Sequence, residues 1–203
     1  MKVKALMVSP PITITTDASI EEAIRLMKTS AIRHLPVVSG DNTLEGLLTL
    51  ADLKEGLLPS MVSDISLADL VIPDPVTVGP EDDIETAARR IYYHKISGIP
   101  VVTGEKLVGI LTETDILRTF IDMMGILTSS SHIEIVIGDD PEAFKQAVQI
   151  IQETEGDILN VTMTAQEIGQ RVYYFRLFPC DTAPIRTALE AGGFRVLSTT
   201  DES

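Results

Sequence analysis

The strongest constraint on this chain is that its first part is written twice. Arg33-His34-Leu35-Pro36-Val37-Val38 returns in outline as Ser97-Gly98-Ile99-Pro100-Val101-Val102, with Pro36 and Pro100 64 positions apart. The same offset carries Ile12-Thr13-Ile14 onto Val76-Thr77-Val78, Ile20 onto Ile84 and Ala23 onto Ala87. With one residue dropped from the intervening turn, Gly46-Leu47-Leu48-Thr49 falls on Gly109-Ile110-Leu111-Thr112, and Asp52 falls on Asp115. A register kept over so many landmarks marks a duplicated supersecondary unit. Each unit must bury its apolar side, and its twin is the nearest cover.

Within each copy the pattern reads β-α-β-β-α. A short strand is expected after Pro11 and after Pro75. Ser19 and Glu22 have capping-box spacing ahead of a helix whose apolar face is Ile20, Ala23, Ile24 and Met27. The second copy offers Ile84, Ala87, Ala88 and Ile91. Two β-rich runs follow, Leu35 to Val38 and Leu44 to Thr49, split by the turn residues Ser39-Gly40-Asp41-Asn42; Thr103-Gly104-Glu105 plays that part in the second copy. A closing helix starts after Thr49 or Thr112, with Leu53, or Ile116 and Leu117, as inward positions.

The residues richest in chemistry are the Thr49/Asp52 and Thr112/Asp115 pairs, each where a strand hands over to a helix. A helix start exposes N–H donors and a partial positive charge, which with a threonine hydroxyl suit a phosphate. An aspartate one turn later accepts hydrogen bonds and suits the hydroxyls of a ribose. The same spacing is also that of a plain capping box, and a duplicated unit copies its caps, so from these residues alone both readings stand. Arg33 and His34 are candidates to neutralise a phosphate, the alternative being a solvated arginine beside a surface histidine. Ser97 and Gly98 occupy those positions in the second copy, with His94 and Lys95 just upstream, so the two sites are expected to be unequal.

The element order, the h-P-V-V strand and the G-h-h-T-x-x-D ending resemble the CBS domain, here as a tandem pair (a Bateman module) over about residues 3 to 124. The resemblance implies a cleft between repeats that takes AMP, ADP, ATP or S-adenosylmethionine, with the Thr and Asp of each pair on phosphate and ribose. It also implies that adenine lies against backbone near Thr13 and Leu35-Pro36, or Thr77 and Ile99-Pro100. Glu113 beside Thr112 would crowd an anion there, which keeps phosphate-free, cationic S-adenosylmethionine in contention.

After Ser129-Ser130-Ser131 the pattern changes. His132 to Ile137 alternates as a strand, and Asp140 and Pro141 are suited to the N-cap and first position of a helix burying Phe144, Ala147, Val148 and Ile151. A strand Leu159 to Thr164, a turn at Ile168-Gly169-Gln170, a strand Arg171 to Phe178, a helix Thr182 to Ala191 ended by Gly192-Gly193, and a strand Phe194 to Thr199 complete it. The sum, β-α-β-β-α-β, is a ferredoxin-like plait. Its length and order resemble the ACT domain, which implies pairing across subunits and an amino-acid ligand. Gly138 and Asn160 fit that pattern, although a turn glycine and an edge asparagine are equally ordinary.

The expected fold class is therefore mixed α/β (α+β), with CBS domains at 1–64 and 65–127 and an ACT-like domain at 132–203. This architecture resembles the acetoin-utilisation (AcuB) family, implying a homodimeric regulator near acetoin or other carbon metabolism.

Composition narrows the function classes. A net charge of −14 with no tryptophan argues against a nucleic-acid surface. The single cysteine, Cys180, excludes an internal disulfide and a multi-cysteine zinc site. His34, His94 and His132 are scattered and no nucleophile, metallopeptidase or Walker pattern occurs, so no catalytic residue and no metal are expected. Hydrophobic residues make up 44% of the chain, yet no stretch reaches the ~18 unbroken apolar residues of a membrane span. Two prolines precede any signal-peptide core, so a cytoplasmic location is expected. The expected function is non-catalytic sensing of an adenosine-containing ligand; the alternative is a structural dimerisation module with no ligand.

Overall fold

The computed structural model describes residues 1–56, 65–138, 140–167 and 170–201, with the backbone alone described at 55–56, 165–167 and 170. The chain forms two compact units, Met1–Thr119 and Phe120–Ser203. Residue 64, on the expected boundary, and the turn residues Ile168 and Gly169 lie outside the described residues.

The first unit holds both repeats. The first comprises α1 (Ile20–Thr29), the hairpin β1 (His34–Val38) and β2 (Leu44–Thr49), and α2 (Leu50–Gly56). A 3-10 turn at Leu67–Leu70 and the short β3 (Ile72–Pro73) lead into the second, made of α3 (Ile84–His94), β4 (Gly98–Thr103), β5 (Lys106–Thr112) and α4 (Glu113–Met123). Both hairpins share one register, Pro36 opposite Leu47 and Pro100 opposite Ile110, and both carry an irregularity one residue after that proline's neighbour, at Val37/Val38 and Val101/Val102. The helix faces are as the periodicity requires: Ala23 and Met27, like Ala87 and Ile91, are buried. Ser19 supplies one half of its capping box, its Oγ accepting from Glu22 N at 3.1 Å.

Two local expectations are corrected. The strands after Pro11 and Pro75 shrink to single parallel bridges, Ile14 to Val37 and Val78 to Val101. Ile14 N donates to Pro36 O and Val38 N to Ile14 O, but extending that ladder toward the N-terminus would need an N–H from Pro36, which has none; Pro100 stops the second copy in the same way. Leu117 is 60% exposed and not inward, while Leu53 and Ile116 are buried.

The repeats exchange their ends. Val3, Leu6 and Met7 join the core of the second copy with Ala87, Ile91 and Ile99, whereas Leu67, Leu70 and Val71 join that of the first with Ala23, Met27 and Leu35. Val8 pairs with Ile110 in both directions, at 2.9 and 3.1 Å, as Ile72 pairs with Leu47. Glycine permits this close approach: a Cβ on Gly46 would stand 2.2 Å from Val71 Cγ1, and one on Gly109 would stand 2.6 Å from Met7 Sδ.

The second unit is an antiparallel sheet in the order β7-β8-β6-β9, from β6 (Ser131–Ile137), β7 (Ile158–Glu167), β8 (Gln170–Leu177) and β9 (Arg195–Thr200). Helices α5 (Pro141–Glu153) and α6 (Ala183–Ala191) pack Ala147, Ile151, Ile185 and Leu189 on the Ile133, Ile135, Phe175 and Leu177 face. Asp140 caps α5 through Glu142 N at 3.0 Å, with Pro141 at its first position. The division falls inside α4, ahead of the serine run, because the segment after Thr119 belongs with the plait: Asn160 Nδ2 donates to Met123 O at 3.1 Å. No helix among the described residues is long and apolar enough to cross a membrane.

Candidate functional site

Among the hollows of the first unit, the repeat relates two. One, of about 520 Å³, is lined by Leu47, Thr49, Ala51, Ile72, Lys95 and Ile96. The other, of about 280 Å³, has the equivalent residues Ile110, Thr112, Thr114, Val8, Ala31 and Ile32. Arg33 and His34 line both.

The differences lie in charge. The first hollow adds Lys54 and Lys95 to Arg33, and among the described residues no acidic side chain lines it. At the second hollow the corresponding residues are Leu117 and Ala31, and Asp115 lines it instead. Lys95 and Ala31 share a left-handed backbone, φ 54° and 53°, where a helix gives way to the chain entering a hairpin. Arg33, Lys54 and Lys95 form no ion pair with any described residue.

Each threonine–aspartate pair closes on itself. Asp52 Oδ2 accepts from Thr49 Oγ1 at 2.5 Å and Thr49 N at 2.9 Å, while Asp52 N donates to Thr49 Oγ1 at 3.3 Å. Asp115 and Thr112 repeat this at 2.6, 2.8 and 3.3 Å. Both are capping boxes, and they consume part of the amide donors expected to face a ligand. Since α2 is only seven residues long and the Thr49 hydroxyl proton goes to Asp52, holding an anion in the first hollow falls to the cations.

His34 corrects the expectation most sharply. It is buried, its Nε2 lies 2.7 Å from Ser97 Oγ, and its ring sits where a Cβ on Gly98 would stand 2.8 Å away. Burial, then the neighbouring Arg33 charge, push its pKa below the ordinary histidine value, against smaller opposing effects of Glu113 and Asp52. A neutral imidazole cannot neutralise a phosphate, so that role passes to Arg33.

Arg33, His34, Thr49, Thr112 and Asp115 thus reach the hollows, whereas Asp52, Thr13, Thr77, Leu35, Pro36, Ile99 and Pro100 line neither. Leu35 and Ile99 are wholly buried, and the carbonyls of Pro36 and Pro100 already accept from Ile14 N and Val78 N at 3.1 Å. The backbone expected to meet adenine is therefore partly paired with itself. Lys54 was not singled out by motif; the signal was the mismatch between Lys54 and Leu117 beyond the matched T-x-x-D.

In the plait, Gly138 and Asn160 do not converge. Asn160 stands in one row with Arg176 and His132, at the start of β6, while Gly138 follows its end, so about 20 Å of strand separates them. A Cβ on Gly138 would meet nothing within 4 Å, so packing does not require glycine there. Asn160 borders a hollow of about 370 Å³ with Glu134, Tyr174 and Arg176.

The CBS domain family model matches residues 3–59 and 62–122. A homoserine O-acetyltransferase of Methanohalobium evestigatum is 35% identical over 117 residues, 57% of this chain and 23% of that protein. The chain thus spans under a quarter of the length of the first curated relatives it matches. The CBS domain pair of protein MJ0100, solved with 5′-methylthioadenosine and S-adenosyl-L-methionine, superposes with a TM-score of 0.56 at 30% identity, over 59% of this chain and 95% of that one. A structure assigned to an acetoin utilization protein (AcuB) from Vibrio cholerae gives 0.55 at 28% identity over 63% and 95%. CBSX2 in complex with AMP gives 0.53 at 26% identity over 60% and 97%.

Proposed function

This chain belongs to the CBS-domain family, and from that premise we propose that it is a non-catalytic regulator whose paired repeats bind adenosine-containing ligands, with AMP, ADP or ATP in the first hollow. The observation that carries this reading is the convergence of Arg33, Lys54 and Lys95 beside Thr49, unpaired with any described acid, in a space of pocket size. Three cations around one hollow repel each other, and a phosphate relieves that repulsion while the apolar wall of Leu47, Ile72 and Ile96 accepts a base. The second hollow, smaller and bordered by Asp115, suits a phosphate-free adenosyl compound such as S-adenosylmethionine. Support comes from the MJ0100 pair, solved with two adenosyl compounds, and CBSX2, solved with AMP.

The test is thermal melting with AMP, ATP and S-adenosylmethionine. Ligand at about 100 times its dissociation constant stabilises the folded chain by about 2.7 kcal/mol. A melting temperature unmoved by all three removes the reading.

For the rest of the chain the same proposal takes CBS domains at 1–64 and 65–127, an ACT-like sensing domain at 132–203, a homodimer in the cytoplasm, and a place near acetoin or other carbon metabolism, as in the AcuB family. Because Gly138 and Asn160 are far apart in one chain, a single small amino acid touches both only if a second copy supplies one of them. Equilibrium dialysis with amino acids and light scattering test that extension.

A structural dimerisation module without a ligand is the second reading. It is favoured by the two capping boxes, whose threonine and aspartate satisfy each other. It predicts dimers whose stability ignores every adenosyl compound.

A further inference from the structure

The two hollows are separated by a wall they share, and among the described residues its only charged member is Arg33, since His34 is buried and bonded to Ser97. Arg33 is exposed, so its guanidinium can turn to either side. It cannot serve both at once.

We propose that Arg33 links the two clefts with a sign set by ligand charge: a phosphorylated nucleotide in the first cleft strengthens a cationic adenosyl ligand in the second and weakens a second phosphorylated nucleotide there. This rests on the adenosine-binding reading above and names the regulation of that site. Phosphate beside Lys54 and Lys95 draws Arg33 toward the first cleft. The second cleft is then left with Asp115 and no cation among its described lining residues, because Ala31 and Leu117 stand where the first cleft has lysines. A ligand with net positive charge gains from that change, an anion loses, and a neutral one is indifferent. Linkage makes the effect reciprocal, so the cationic ligand tightens the nucleotide by the same factor.

S-adenosylmethionine and 5′-methylthioadenosine separate charge from shape. Both carry an S-methylated 5′-thioadenosine skeleton, but the first adds a 3-amino-3-carboxypropyl arm that makes the sulfur a sulfonium and sets an ammonium against one carboxylate, and the second is uncharged. The experiment is isothermal titration of each into the full chain, free and saturated with AMP, then again with Arg33→Gln. AMP is expected to tighten S-adenosylmethionine about five-fold or more, within the usual range of coupling between sites, and to leave methylthioadenosine nearly unchanged. Arg33→Gln is expected to abolish the difference. Independent or weakened binding of S-adenosylmethionine, equal tightening of methylthioadenosine, or coupling that survives Arg33→Gln each overturns the proposal while the adenosine-binding reading stands. Failure of AMP to bind overturns this inference, and failure of AMP, ATP and S-adenosylmethionine alike removes the adenosine-binding reading as well.

Discussion

His34 Nε2 and Ser97 Oγ lie 2.7 Å apart, so residues at which the two repeats differ are bonded to one another. The duplication places His34 and Gly98 at equivalent positions, and a Cβ at 98 would stand 2.8 Å from the His34 ring. One large and one absent side chain thus fill a space that two copies of either could not. Ser97→Ala leaves a buried ring nitrogen without its partner and is expected to cost about 1–3 kcal/mol. Gly98→Ala forces the ring to move, at a similar cost of about 1–3 kcal/mol. Urea unfolding measures both; a loss within error for the pair would mean the wall between the hollows is not packed as described.

The same burial predicts a pH dependence. The folded-state pKa of His34 is lowered, so below the ordinary histidine value the unfolded chain binds the proton more readily than the folded one. Its full contribution is present above about pH 6.5 and is lost as pH falls from there toward the folded pKa. Melting temperature is therefore expected to drop between pH 8 and pH 5, and His34→Gln should flatten that slope. An unchanged slope in the variant would place the titration elsewhere.

Asp52 and Asp115 close equivalent capping boxes, but only Asp115 borders a hollow. Asp52→Ala and Asp115→Ala should each cost about 0.5–2 kcal/mol of stability, the ordinary worth of a cap. Binding of S-adenosylmethionine should suffer more from Asp115→Ala than from Asp52→Ala. Titration alongside denaturation separates the two effects, and parallel losses in both would favour the structural module.

Lysine removal tests the anion site without disturbing the core. Lys54→Ala and Lys95→Gly should each weaken AMP by about 0.2–1 kcal/mol, the range for an exposed charge pair, and leave methylthioadenosine alone. Glycine suits the left-handed backbone at 95, so Lys95→Gly should not lower stability. Equal weakening of both ligands would show that charge is not what the lysines contribute.

The fold was largely legible because duplication and periodicity are local signals. The Ile20, Ala23, Met27 face and the Asp140-Pro141 helix start could be read from residues a few positions apart. The exchange of ends was not: nothing near Val3 or Leu67 says which copy's core will take it, since both cores want the same side chains. Leu117 was misread because hydrophobicity stood for burial, while its partner position, Lys54, was already charged and therefore outward. At the site, Thr49, Thr112 and Asp115 were visible as motifs, but the bonded, packed position of the His34 ring depends on Ser97 and Gly98 across the wall.

The most direct measurement is a crystal structure of the full chain grown with saturating AMP. The phosphate is expected in the larger hollow, against Thr49 and within reach of Arg33, Lys54 and Lys95, with the base on Leu47, Ile72 and Ile96. Crystals in which that hollow holds only solvent, or in which AMP sits away from those three cations, would contradict the account.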